Sequence, residues 1–80
     1  MSRKAKAVPC NEEQLNELKR IANSRTEPHQ LVVRAGIVLE CVEGKQVKDI
    51  AIDHKQTQLT VRIWRDRFLS GGVAGLYDLP

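Results

Sequence analysis

The chain has 80 residues, 41% of them hydrophobic and 29% charged, which suits one small globular domain and argues against a disordered chain. It contains one Trp, one Tyr and one Phe, so the core must be mainly aliphatic, and an α/β enzyme with a deep pocket would be hard to build from it. The net charge of +3 fits a nucleic-acid-binding protein but also many proteins that bind no nucleic acid.

The first nine residues, MSRKAKAVP, hold three cations and no anion and have no periodic apolar pattern. We predict a flexible basic arm over residues 1–9. Such a terminus is most often simply solvated. The alternative is an arm that follows DNA phosphates or enters a minor groove, in which case Arg3, Lys4 and Lys6 contact phosphates.

Two helices are predicted next. Asn11 is a good N-cap for the first, Gln14 resembles the second half of a capping box, and the helix should fade near residues 23–24. Thr26 can cap the second helix, whose first turn tolerates Pro28. Gly44 is placed to stop it. The apolar stripe of this most apolar helix consists of Leu31, Ala35, Val38 and Val42, broadened by Val32 and Leu39.

The stretch Lys48–Phe68 predicts a helix-turn-helix. A short third helix, from about Val47 to His54, precedes a fourth from about Thr57 to Ser70, with the Thr57 hydroxyl as its cap. One face of the fourth helix is predicted to be core and carries Val61, Trp64 and Phe68. The opposite face carries Gln58, Leu59, Arg62 and Asp66.

This layout is typical of a DNA reader, and the alternative is an ordinary helical hairpin with a solvated charged face. In the first interpretation Gln58, Leu59 and Arg62 face the bases, because a guanidinium can bind guanine O6 and N7 and a glutamine can pair with adenine. Thr57, Arg65 and Arg67 are then assigned to phosphates. The two arginines have a second possible role, as ion-pair partners of the acidic first helices.

The predicted domain spans residues 10–71, and Gly71 and Gly72 end the last helix. The tail, residues 72–80, is apolar enough to fold back through Leu76 or Tyr77. No strand pattern, repeat or low-complexity segment is present. No apolar run reaches membrane-spanning length, and no signal peptide is recognisable, so we expect a cytoplasmic protein with reduced thiols.

No catalytic, metal or cofactor site is expected. Cys10 and Cys41 lack CxxC spacing, and Cys41 is predicted to be a small core residue. His29 is expected to be structural and His54 an exposed turn residue, because neither is patterned with a nucleophile or an acidic partner. The four aspartates are scattered without metal-site spacing at Asp49, Asp53, Asp66 and Asp78.

The ordered runs SRTEPHQLVVRAGIVLECVEG, KDIA, TVRIWRDRF and GGVAGL resemble the N-terminal DNA-binding region of mariner-related bacterial insertion-sequence transposases. The resemblance spans roughly residues 12–79. It implies a homeodomain-like, all-α domain of four helices that binds the terminal inverted repeats of a mobile element. It also implies a partner, double-stranded DNA, a nucleoid-associated location in a bacterium, and a catalytic carboxylate domain that would lie after Leu79.

The chain departs from this family at the corner of the helix-turn-helix. Members usually have Leu-Gly-Val where this chain has His54, Lys55 and Gln56. The glycine normally supplies a left-handed conformation, which Lys55 would adopt at a cost. The loss of the apolar anchors implies either a rebuilt turn, with Ile52 as a candidate anchor, or a decay of specific DNA binding.

Three functions remain open at this point: a transposase DNA-binding module, a small transcriptional regulator of the same fold, and a helical adaptor that does not bind DNA. A homodimer or a separately encoded catalytic half are the protein partners considered, and no membrane or small-molecule substrate is expected.

Overall fold

The computed structural model describes residues 8–77. Over this range the chain forms four α-helices and one 3-10 helix, and no strand is present. The all-α prediction is therefore confirmed. The helices are α1 (Glu12–Ala22), α2 (His29–Val42), α3 (Val47–His54) and α4 (Gln58–Gly71), followed by the 3-10 helix at Gly72–Leu76.

The starts of α1 and α2 differ in how well local sequence predicted them. Asn11 and Gln14 form the expected capping box, in which the backbone N–H of each donates to the side chain of the other at 3.1 and 2.7 Å. The prediction that Thr26 caps α2 was wrong. Pro28 is the N-cap and has no side-chain cap, because the chain is still turning at Thr26, where its N–H donates to the Ser24 hydroxyl.

Helix α2 is the central element, since it packs against α1, α3, α4 and the 3-10 helix. Leu31, Ala35 and Val38 are buried as predicted. Cys41 is buried as well, as predicted, and so is Ile37, which lies outside the predicted stripe. A helix with neighbours on several sides buries more than one face, so a single stripe underestimates its contribution to the core.

The fully buried large side chains come from every helix and from the tail: Leu18, Ile21, Ile37, Val38, Ile50, Val61 and Leu76. Val8, which precedes the predicted domain, is buried too. The expected fold-back of the tail through Leu76 is confirmed. Two contacts hold it: the guanidinium of Arg34 donates to the Leu76 carbonyl at 3.0 Å, and Gly75 lies so close to α4 that a Cβ there would be 2.4 Å from the Arg67 carbonyl oxygen.

Candidate nucleic-acid interface

The corner between α3 and α4 is built on a left-handed residue. Lys55 has φ 56° and ψ 41°. Its N–H donates to the Ile52 carbonyl at 3.2 Å, and the N–H of Gln56 donates to the Ala51 carbonyl at 2.8 Å. These two bonds form a Schellman motif, which usually has glycine at the left-handed position. Lys55 thus adopts, despite its Cβ, the left-handed conformation that glycine normally supplies.

The rebuilt corner is not anchored by Ile52. That side chain is 74% exposed, so its predicted anchoring role was wrong. Helix α3 is instead fixed by Ile50 and Ala51, which are buried, and by His54. These three positions follow the helical spacing of one face, whereas Ile52 points away from it.

The prediction of an exposed His54 was also wrong. The side chain is 23% exposed, and its Nε2 contacts the Glu40 carboxylate on α2. Glu40 also accepts from the Lys45 ammonium at 2.6 Å. The imidazole lies against Gly36, where a Cβ would be 3.1 Å from the ring. Glycine on α2 therefore leaves the space in which the end of α3 is held.

Helix α4 has one buried face and one open face. Thr57 is the N-cap, and its hydroxyl accepts from the Thr60 N–H at 3.1 Å, as predicted. Val61 and Phe68 are buried. The opposite face is exposed at all four predicted positions, Gln58, Leu59, Arg62 and Asp66, and at Ile63, which the sequence analysis did not single out.

Trp64 lies at the edge of the core rather than within it. It packs on the core but is only half-buried. The guanidinium carbons of Arg34 and Arg67 lie 4.0 and 5.1 Å from its ring centroid, within the range of cation–π attraction. The prediction that Trp64 is a core residue beside Val61 and Phe68 is therefore corrected, because the ring is only half-buried and an arginine from α2 covers it.

The cations assigned to DNA differ in their surroundings. Arg62 is exposed and makes no ion pair with another residue in the range 8–77. Arg65 is half-buried and pairs with Asp66 at 3.3 Å, and Arg67 lies over Trp64. Thus Arg62 is the one of these three that is exposed and has neither an ion-pair partner nor an aromatic ring beneath it within the described range. Arg3, Lys4 and Lys6 lie outside the described residues.

Two further exposed cations lie on α3 and at the corner and were not assigned to DNA from the sequence. Lys48, in the first turn of α3, and Lys55, at the corner, are exposed, and neither pairs with an anion among residues 8–77. The composition offered a signal for them, because residues 45–80 hold six cations and four anions whereas residues 10–44 hold four cations and six anions. Positive charge is thus concentrated on the half of the domain that contains the corner.

A groove of about 270 Å³ lies between the first turn of α2 and the start of α4. No carboxylate lines it. Its lining residues are His29, Gln30, Val33, Arg34, Ile37, Gln56, Thr60 and Trp64. The groove reaches from Gln56 at the corner to α2, and its lining side chains are neutral apart from Arg34. A surface without negative charge is compatible with a polyanion.

Both cysteines are free thiols, Cys10 partly buried and Cys41 buried. Burial raises the pKa of Cys41 to about 11 and also raises the pKa of Cys10. Within residues 8–77, no group of three or more His, Cys, Asp or Glu side chains is placed to hold a metal ion. None of the helices in that range is both long and apolar enough to cross a membrane.

No family model, curated protein or solved structure matches the chain.

Proposed function

We propose that this chain binds double-stranded DNA through a helix-turn-helix of homeodomain-like type, with α4 as the recognition helix in the major groove. The observation that carries the proposal is the left-handed corner at Lys55. It joins a short helix to a longer one whose inner face, Val61 and Phe68, is buried and whose outer face is open. This is the arrangement in which helix-turn-helix proteins present side chains to base edges.

The roles follow from position on α4. Gln58, Leu59 and Arg62 are proposed to face the bases, because they lie in the first two turns, on exposed positions. Asp66 limits this contact surface to the start of the helix, since a carboxylate is repelled by phosphates. Thr57, Arg65 and Arg67 are proposed to contact phosphates on the flanks, together with the arm residues Arg3, Lys4 and Lys6.

The biological setting that we propose is the one that the family resemblance implies. The chain would be the N-terminal module of a bacterial transposase, would recognise the terminal inverted repeats of a mobile element, and would depend on a catalytic domain that its own residues do not supply. A small transcriptional regulator would use the same contacts with a palindromic site. A non-DNA adaptor is the remaining alternative, and the exposed apolar side chains of Ile52 and Leu69 are the feature that favours it.

Binding to DNA can be tested without knowing the target. Fluorescence anisotropy with a random-sequence duplex should give binding that weakens as salt rises, because each neutralised phosphate contributes about −0.9 to the slope of log K against log salt. Selection from a randomised duplex library then yields a preferred site. Binding that is absent at low salt, or that does not respond to salt, would contradict the proposal.

The recognition helix is tested by Arg62→Ala. We expect a loss of about 1–3 kcal/mol on the selected site and relaxed preference at one base position. Lys19→Ala is the matched control, because Lys19 is an exposed cation on α1, which does not contact α3 or α4. If Arg62→Ala keeps the parent ratio of binding to the selected site and to random DNA, α4 is not the reading element.

A further inference from the structure

The first two turns of α4 carry two exposed apolar side chains that the fold does not use. Leu59 is 66% exposed and Ile63 is 41% exposed. They are four residues apart, so they lie about 6 Å from each other along the helix axis, on the same side. Arg62 lies beside them, and Asp66 follows on the next turn. The result is a short apolar ridge, Leu59 and Ile63, on the face that we assign to DNA.

The size of this ridge argues against a second protein chain as its occupant. A specific interface involves roughly 20–30 residues on each side. The ridge is two side chains wide, and the exposed charges of Arg62 and Asp66 interrupt the face around it. A partner protein would have to desolvate these charges in order to cover little apolar area, which is unfavourable.

The charge around the ridge indicates an anionic occupant. Two exposed cations lie near it in the chain, Lys55 at the corner and Arg62 on α4, and neither pairs with an anion among residues 8–77. A binding partner for this surface should therefore be negatively charged at its edges and apolar in its interior. The major groove of DNA has both properties. Phosphates line the edges of that groove, and the C5 methyl of thymine is the apolar group on its floor.

Resting on the proposed function, we propose that Leu59 and Ile63 read thymine through its C5 methyl group, so that the preferred DNA site contains thymines opposite the first two turns of α4. The separation of the two side chains, about 6 Å, is close to two base-pair steps of about 3.4 Å each. The two contacts therefore fall on thymines about two base pairs apart. Ile63 becomes a specificity-determining residue beside Gln58, Leu59 and Arg62.

The experiment uses the full chain and two duplexes, an alternating dA–dT duplex and the same duplex with deoxyuridine in place of every thymidine. The second duplex lacks the C5 methyl groups and keeps every hydrogen-bonding group. We expect the parent to bind the thymine duplex more tightly, by about fourfold for each methyl that becomes buried, which corresponds to about 0.8 kcal/mol per buried carbon. In Ile63→Ala the ratio of the two affinities should shrink toward one.

Leu69→Ala is the matched control, because Leu69 is a 51% exposed leucine in the last turns of the same helix. It should keep the parent ratio. Circular dichroism must show that both variants are folded, which we expect because both side chains are exposed. Analytical ultracentrifugation of the parent and of Ile63→Ala tests the remaining occupant, a second copy of the chain.

The outcomes separate the two proposals. If the parent binds neither these duplexes nor random DNA, the proposed function fails and the inference fails with it. If the parent binds both duplexes equally, DNA binding stands but thymine recognition through the methyl group is wrong. If Ile63→Ala abolishes a dimer of the parent and leaves the affinity ratio unchanged, the ridge serves self-association and the inference is likewise overturned.

Discussion

Replacing Lys55 with glycine should stabilise the domain. Lys55 has φ 56° and ψ 41°, a left-handed conformation that costs a residue with a Cβ about 1–2 kcal/mol. Glycine avoids this cost but loses about 0.5–1 kcal/mol through its greater freedom in the unfolded chain. The side chain of Lys55 is exposed and pairs with no anion among residues 8–77, so its removal adds little. The net expectation for Lys55→Gly is a gain of about 0.5–1 kcal/mol.

The gain can be measured by thermal and urea unfolding, followed by circular dichroism. For a domain of this size, 1 kcal/mol shifts the midpoint temperature by about 4–8 °C, so the glycine variant should melt about 2–8 °C higher than the parent. Lys55→Ala is the matched control, because it removes the same charge and keeps the Cβ. A glycine variant that is no more stable than the alanine variant would show that the corner does not hold Lys55 in the left-handed region.

Two further predictions concern the tail and the thiols. Gly75→Ala should lower the midpoint temperature, because the added Cβ would be 2.4 Å from the Arg67 carbonyl oxygen. Gly71→Ala is the control and should not lower it, since no atom would lie within 4 Å of the added Cβ. Equal midpoint temperatures for the two variants would mean that the tail is not packed on α4. Iodoacetamide at pH 8 should modify Cys10 before Cys41, because the pKa of about 11 keeps the Cys41 thiol protonated. Mass spectrometry identifies the modified residue, and the reverse order would contradict the burial of Cys41. The pKa of Cys41 is raised in the folded state above its ordinary value of 9.0, so the contribution of this thiol to the free energy of unfolding is complete below pH 9 and is lost as the pH rises toward 11. The free energy of unfolding of Cys41→Ala should therefore fall less than that of the parent between pH 9 and 11.

The features that could be predicted from sequence depend on neighbours within a few residues. The capping box of Asn11 and Gln14 closes over three residues, and the cap of Thr57 on Thr60 does the same. For these features the order of side chains along the chain determines the local geometry. The predicted bounds of α3, Val47 and His54, agree with the structure.

The features that escaped prediction depend on residues that are distant in sequence. His54 is drawn from the surface by Glu40, 14 positions earlier, and its ring fits because position 36 has no side chain. Trp64 is covered by Arg34, which is 30 positions away. Periodicity reports which side of a helix is apolar but not which partner the other elements bring to it. The expected and observed surroundings of His54 and Trp64 therefore differ because of two charged residues of α2, Glu40 and Arg34.

The core contacts and the proposed DNA contacts lie on separate faces of α4, and this separation makes the proposed function testable by mutation. Val61 and Phe68 are buried in the core, so their replacement removes apolar contacts and affects folding. Arg62 and Ile63 occupy the exposed side of the same turns. A change at these positions leaves the core intact, so that a loss of DNA affinity there reports lost contacts rather than unfolding. The Arg34–Trp64 contact lies between the two faces, and variants of Trp64 will mix both effects because the ring packs on the core while a guanidinium covers it.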